Sequence, residues 1–197
     1  MKFKSYYWAI FAAVGVVVVL IFVLPRVFGG SSASGTDPHS QEQQPDYTPQ
    51  IEAYQDLLKA NPKDAVALSG LGDVYMGQGN YSQAKDLFEQ ATSIDPGNAL
   101  YHGRLGEAYY GLNMIDVALR ELNTGLSIDP RNQAIMIDIG LIDSHTNQSA
   151  QARQMWQKAI DINPNNRMAH TAKELISQQN NPGSTTTAPP LQQQHGP

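Results

Sequence analysis

Four prolines recur at a constant spacing of 34 residues: Pro62, Pro96, Pro130 and Pro164. Each closes a similar phrase, which reads Lys-Ala-Asn-Pro, Ser-Ile-Asp-Pro, Ser-Ile-Asp-Pro and Asp-Ile-Asn-Pro in turn. A proline cannot continue a helix, and the Asp or Asn before it favours a turn, so each phrase ends one helix and precedes the next. The fixed period indicates a repeat protein in which whole helical units are stacked along the chain.

Three complete units, residues 65–98, 99–132 and 133–166, carry small and large residues at matched positions. The matched sets are Gly72, Gly106 and Gly140; Ala84, Ala118 and Ala152; Leu71, Leu105 and Ile139; Phe88, Leu122 and Trp156; and Ile94, Ile128 and Ile162. Small residues let two antiparallel helices approach closely, and large residues fill the gaps between neighbouring pairs. The alignment therefore predicts an all-α stack of helical hairpins.

The chain resembles the tetratricopeptide repeat family in its 34-residue period and in residues of the first unit. These residues are Leu71, Gly72, Tyr75, Gly79, Tyr81, Ala84, Phe88, Ala91 and Pro96. The resemblance implies an α-solenoid of antiparallel helix hairpins over residues 47–178. It begins with a half-repeat at 47–64 and ends with a capping helix at 167–178. The third unit departs from the pattern at Asp143, where the family favours Tyr, and at Ser149, which replaces an aromatic residue or Ile.

An uncharged segment, YYWAIFAAVGVVVVLIFVL, occupies residues 6–24. As a helix it would span about 28 Å, close to the thickness of a bilayer core. Lys2 and Lys4 outweigh Arg26 across the segment, which favours a cytoplasmic N-terminus. Residues 1–28 are therefore predicted to be one transmembrane helix that anchors the chain in a cell membrane, with the repeats on the extracytoplasmic side. A cleaved signal peptide is the alternative, although its apolar region would run only about 7 to 15 residues.

Residues 29–46 and 179–197 are rich in Gly, Ser, Gln, Thr and Pro and contain little that could be buried. They predict a flexible linker before the repeats and a disordered tail after them. Removing the three N-terminal cations from the 13 Lys and Arg residues leaves 10 basic against 18 acidic residues. Such an acidic body disfavours nucleic acid and anionic bilayer surfaces as ligands. The absence of cysteine excludes disulfides and thiolate catalysis.

In the family that the chain resembles, the first helices of successive units line a concave groove that takes extended peptides or helices. The residues at the corresponding positions are Val66, Ser69, Asp73, Met76, Leu100, Gly103, Glu107, Tyr110, Ile137, Leu141 and His145. This surface is apolar with two carboxylates, and it predicts a partner segment that is apolar or mildly basic. Met76 and Tyr110 are the expected contacts. The alternative is that both side chains only pack against their neighbours.

Some relatives hold a terminal carboxylate with Lys, Asn and Arg at defined groove positions. In this chain Ser69, Asp73 and Asp138 occupy three of those positions, and Arg104 alone does not form a clamp, so a terminal carboxylate is not the expected ligand.

Asp138, Asp143 and His145 form the one cluster that resembles a metal or catalytic site, but offsets of five and two do not place all three on one helix face. His102 and His170 fall where the family places a bulky packing residue. No nucleophile turn or phosphate loop is present. The sequence therefore predicts no enzyme activity, no metal and no cofactor.

The leading hypothesis is a membrane-tethered scaffold or assembly factor that binds partner proteins in its groove. One alternative is a structural module that associates with itself, which would make the protein a homo-oligomer. Another is a receptor for client proteins whose repeats face the cytosol, as in some anchored members of the family. An enzyme that uses the region from Asp138 to His145 is the alternative of a different class.

Overall fold

The computed structural model describes residues 45–181 of the 197-residue chain. All regular elements in this range are helices: α1 (Thr48–Ala60), α2 (Ala65–Gly77), α3 (Tyr81–Ile94), α4 (Ala99–Gly111), α5 (Ile115–Ile128), α6 (Gln133–His145), α7 (Ser149–Ile162) and α8 (Arg167–Asn180). The predicted all-α solenoid is confirmed for these residues. The predicted transmembrane segment, most of the linker and nearly all of the tail lie outside them.

The helices pack as three hairpins, α2 with α3, α4 with α5 and α6 with α7, and each hairpin contacts the next. Helix α1 precedes the first hairpin and packs on α2, and α8 follows the last one and packs on α7 and α6. No helix between residues 45 and 181 is long and apolar enough to span a bilayer.

In each hairpin, a glycine on the first helix faces a large side chain on the second helix. The pairs are Gly72 with Phe88, Gly106 with Leu122, and Gly140 with Trp156. A Cβ atom added at any of these glycines would lie less than 3.0 Å from the facing side chain. All three large side chains are buried. The close approach of the two helices therefore depends on glycine at this position.

The first helix of every unit begins at an Asp or Asn whose side chain accepts a hydrogen bond from the first turn. The caps are Asp64, Asn98, Asn132 and Asn166, with backbone N–H groups donating over 2.9–3.2 Å. These residues also recur every 34 residues, two positions after each proline. The sequence analysis did not predict these caps. Their 34-residue spacing and the preference for Asp and Asn at helix N-termini were the signal that could have identified them.

The turn inside each hairpin passes through a residue in the left-handed region of backbone conformation. Gly79, Asn113 and Asn147 have φ angles of 72°, 60° and 62° and occupy the same position in their units. Glycine adopts this conformation without a steric penalty, and Asn tolerates it better than most residues. The same turn geometry is therefore encoded by Gly once and by Asn twice.

The third unit differs from the first two at Asp143, which is buried near the end of α6. Burial raises the pKa of the Asp143 carboxyl because desolvation disfavours its charged form. At the equivalent position of the second unit, the Tyr109 hydroxyl donates a hydrogen bond of 2.6 Å to Glu89. This bond and partial burial raise the pKa of Tyr109 to about 12. The third unit thus buries a carboxyl where the second has a hydrogen-bonded tyrosine.

Candidate partner-binding groove

The three first helices α2, α4 and α6 lie side by side, with α4 contacting both α2 and α6. They carry all eleven residues that the sequence predicts for the groove. Six of these are buried: Ser69, Met76, Gly103, Glu107, Ile137 and Leu141. The other five keep accessible surface and are called the accessible groove residues below: Val66, Asp73, Leu100, Tyr110 and His145. Repeat position alone therefore does not determine which side chains a partner could reach.

Met76 is buried and packs against Ala84, Phe88, Leu105 and Ala108, which come from α3 and α4. Its burial favours the packing alternative for this residue. A thioether is a suitable filler here, because its flexible chain adapts to the space between two hairpins.

An ionic cluster joins α2 to α4 at the centre of the groove. The Nε atom of Arg104 lies 3.0 Å from Asp73 Oδ1, and its NH1 lies 3.3 Å from both carboxylate oxygens of Glu107. Glu107 and Arg104 are largely buried, whereas the Asp73 side chain is 44% exposed. The sequence analysis named these three residues but did not predict that Arg104 pairs with both carboxylates. The signal was the spacing of three residues from Arg104 to Glu107, which puts both on one helix face.

Tyr110 of α4 and His145 of α6 form an aromatic pair across two repeats. Their rings are stacked, with centroids 5.9 Å apart and planes inclined by 12°. The Tyr110 hydroxyl is also in hydrogen-bonding contact with Nδ1 of His145. Partial burial raises the pKa of the Tyr110 hydroxyl. The two rings therefore form one aromatic surface at the ends of α4 and α6.

Exposed aliphatic side chains line one edge of the solenoid, where second helices end and first helices begin. Val66 and Leu100, the second residues of α2 and α4, are 72% and 51% exposed. Ile94 and Ile128, the last residues of α3 and α5, are also exposed. The repeat pattern predicts packing residues at both isoleucine positions, but the structure leaves both side chains partly exposed.

The residues considered for metal or catalytic chemistry do not form a site in the described range. Between residues 45 and 181, no three side chains of His, Cys, Asp or Glu converge on a common point. Asp138 and Asp143 are buried, whereas His145 is exposed and stacks on Tyr110. His102 packs inside the second hairpin, with Nδ1 2.9 Å from Glu121 Oε2 and Nε2 3.2 Å from the backbone carbonyl of Pro96.

The tetratricopeptide repeat family model matches residues 51–103 and, in a second overlapping match, residues 75–128. No sequence among the curated proteins matches significantly.

Several solved structures have a similar fold. A crystal structure of MamA is 23% identical with a TM-score of 0.57, and the match covers 68% of this chain and 82% of MamA. The first TPR of Spaghetti (RPAP3), bound to the HSP90 peptide SRMEEVD, is 24% identical with a TM-score of 0.52, over 58% of this chain and 90% of that one. The APC/C hetero-tetramer Cut9-Hcn1 gives 24% identity and a TM-score of 0.58, over 65% of this chain and 26% of that one.

Proposed function

We propose that this chain, which belongs to the tetratricopeptide repeat family, is a protein-interaction scaffold. In this proposal it binds a segment of a partner protein across α2, α4 and α6. The observation that carries the proposal is the row of accessible groove residues. It runs from aliphatic Val66 and Leu100, past the Asp73 carboxylate, to the stacked rings of Tyr110 and His145. Apolar and aromatic side chains around a charged group are typical of peptide-binding surfaces.

The chemistry of the row favours a partner segment that is apolar with at least one basic residue. Arg104 is the one cation in a cluster with two carboxylates, so the formal charge there is negative. The Spaghetti neighbour holds a peptide with two Glu and one Asp. In this chain Asp73 would repel such a peptide, and a Lys or Arg side chain would instead be attracted to its partly exposed carboxylate.

We also propose that the scaffold acts by binding rather than by catalysis and needs no metal or cofactor. The accessible groove residues contain no nucleophile next to a base, and His145 is engaged by a tyrosine rather than by a carboxylate.

Residues 6–24 support a further part of the proposal, which is that the repeats are tethered to a cell membrane on its extracytoplasmic side. A tether raises the effective concentration of the groove for partners in the same bilayer, so that modest affinity suffices. Protease treatment of sealed right-side-out vesicles tests the orientation. Digestion of the repeats is expected, and protection that ends on lysis would instead favour a cytosol-facing receptor.

A peptide array tests the groove with the full-length chain in detergent. The probes are peptides with one apolar core that carry either Lys and Arg or Glu and Asp at the same flanking positions. Binding to the basic set is expected, and Leu100→Ser should weaken it by about tenfold, since the side chain would lose an apolar contact. Leu57→Ser is the matched control because Leu57 is 52% exposed on α1, outside the three groove helices.

Asp73→Asn should reduce the preference for basic over acidic peptides. A stronger response to the acidic set, or equal losses in the Leu100 and Leu57 variants, would contradict the proposed groove.

A further inference from the structure

The first helices of the repeat units form a wider surface than the sequence predicts. The sequence predicts α8 only as a capping helix, yet α8 has the place of a first helix in the 34-residue register and packs on α6. Helix α6 in turn packs on α4, and α4 packs on α2. Within residues 45–181, the first helices that lie next to one another are therefore α2, α4, α6 and α8.

The second residue of each of these helices is apolar and keeps accessible surface. Val66 is 72% exposed and Leu100 is 51% exposed, and the corresponding residues of α6 and α8 are partly exposed. Because the residues share one position of the repeat, they lie next to one another across the helices. They are called the apolar strip below: Val66, Leu100, Ala134 and Met168. A ligand that covers the whole strip has its long axis across the first helices.

Neighbouring first helices are closely packed at the level of the apolar strip. Leu68 of α2 and Tyr101 of α4 belong to one buried cluster, and a Cβ atom at Gly103 of α4 would lie 3.3 Å from Ile135 of α6. Packed helices lie about 8–10 Å apart, so three such intervals extend over about 24–30 Å. At a rise of 1.5 Å per residue, a helix of about 16–20 residues has this length.

The partly exposed carboxylate of Asp73 lies two helical turns to one side of the apolar strip. Asp73 follows Val66 by seven residues on the same face of α2, which is a distance of about 10.5 Å along the helix axis. Ser69 lies between them on this face, and Gly103 has the same position on α4. Both residues are small and buried. They therefore leave room for a ligand that contacts the strip and Asp73 together.

The distance from the apolar strip to Asp73 favours a helix over an extended peptide as the ligand. An α-helix with its side chains is about 10–12 Å in diameter, so a helix that lies across the first helices reaches from the strip to Asp73. An extended chain is only about 4.8 Å wide, and its side chains alternate between pointing toward the surface and away from it. An extended chain on the strip thus has no side chain directed sideways to Asp73.

We propose that the groove binds an amphipathic helix of a partner protein, which lies across α2, α4, α6 and α8. Its apolar face contacts the apolar strip, and a basic flank lies beside Asp73. This inference rests on the proposed function and specifies its ligand. The cluster of Asp73, Arg104 and Glu107 has two carboxylates and one cation, so Lys or Arg on the flank complements its charge. An apolar face with anchors at helical spacing is typical of helices that bind in grooves.

Two synthetic peptides of about 18 residues, within the length derived above, test the helix with the full-length chain in detergent. The first peptide carries Leu at helical spacing on one face, Lys on one flank and Ala elsewhere. The second replaces one outward-facing Ala by Pro, which interrupts the helix and leaves the contact face unchanged. Fluorescence anisotropy should show about tenfold weaker binding of the second peptide. Detergent without protein gives the background, since amphipathic peptides also enter micelles.

Equal affinity of the two peptides would overturn the helical ligand and leave the proposed function standing, because the groove would then hold an extended segment. Binding of neither peptide, while peptides of the array bind, would have the same meaning. The absence of all peptide binding would overturn the proposed function as well.

Substitutions in the apolar strip test where the helix lies. Val66→Ser and Leu100→Ser should each weaken binding of the first peptide by about tenfold, since each removes an apolar contact. Leu57→Ser on α1 is the control and should leave binding unchanged. Met168→Ser should also weaken binding, and an unchanged affinity of this variant would overturn the extension to α8. Circular dichroism verifies that each variant is folded.

A third peptide, in which Glu replaces Lys, tests the basic flank. It should bind the wild-type chain about tenfold more weakly than the first peptide, because its carboxylates face the carboxylate of Asp73. Asp73→Asn should reduce this difference and leave the effect of Pro unchanged. Equal binding of the Lys and Glu peptides to the wild-type chain would overturn the position of the flank beside Asp73.

Discussion

The left-handed turn at Gly79 leads to a prediction that separates backbone strain from packing. The φ angle of Gly79 is 72°, and a Cβ added there would meet no atom within 4 Å. Gly97, in the loop after Pro96, is the matched control, since its added Cβ would only touch Asp95 Oδ1 at 3.7 Å and its φ is not positive. Alanine therefore fits the available space at both positions, and only the backbone conformation differs.

The expected difference follows from two contributions. Replacing glycine by alanine reduces the conformational freedom of the unfolded chain, which stabilises the folded state by about 0.4–1 kcal/mol at either position. The left-handed conformation costs alanine about 1–2 kcal/mol and applies only at Gly79. The unfolded-state contribution cancels between the two variants. Gly79→Ala should thus be less stable than Gly97→Ala by about 1–2 kcal/mol, which corresponds to about 3 to 8 °C in Tm for a domain of this size.

Thermal and urea unfolding, followed by circular dichroism at 222 nm, measures this difference directly. Asn113→Ala provides an independent check in the second unit, where it should lower stability, because alanine tolerates the left-handed conformation less well than asparagine. Equal stabilities of Gly79→Ala and Gly97→Ala would refute the reasoning, since the strain would then be absent from the hairpin turn.

Three other predictions concern the interior of the solenoid. Gly106→Ala should destabilise the fold by about 1–3 kcal/mol in urea unfolding, because its Cβ would lie 2.6 Å from Leu122. Asp143→Asn should raise stability at pH 7, since burial raises the pKa of the carboxyl in the folded state. The carboxylate therefore destabilises the fold above that pKa, and the gain measured by unfolding should disappear as pH falls below the ordinary value of 3.8. Arg104→Met should cost about 3 kcal/mol because it leaves the Glu107 charge buried without its cation. Adding Glu107→Gln should recover part of this loss in a double-mutant cycle.

The controls for these predictions lie on the surface. Gly97→Ala should leave stability unchanged or slightly higher, in contrast to Gly106→Ala. Asp161→Asn is the control for Asp143→Asn, since it removes an exposed carboxyl instead of a buried one. An unaltered pH profile for Asp143→Asn, or additive losses at Arg104 and Glu107, would contradict the physical reasons given.

The repeat architecture could be derived from the sequence, because its determinants are local and recur. A proline every 34 residues ends the second helices, and the glycine that faces Phe88, Leu122 or Trp156 returns at a fixed offset within each hairpin. The capping residues Asp64 and Asn98 follow the same period and were equally open to prediction. The transmembrane prediction rests on residues 6–24, which lie outside the described structure.

The accessibility of the groove could not be derived in this way. Repeat position placed Met76 and Val66 on the same surface, yet Met76 is buried by side chains from α3 and α4, whereas Val66 is 72% exposed. Burial depends on the shape and size of side chains that belong to other helices, and these differ from one unit to the next. The same reason applies to α1: its residues follow the repeat pattern, but only the packed structure shows that nothing in the described part of the chain covers Leu57. The sequence thus determined the order and pairing of the helices, and tertiary packing decided which of their surfaces remain open to a partner.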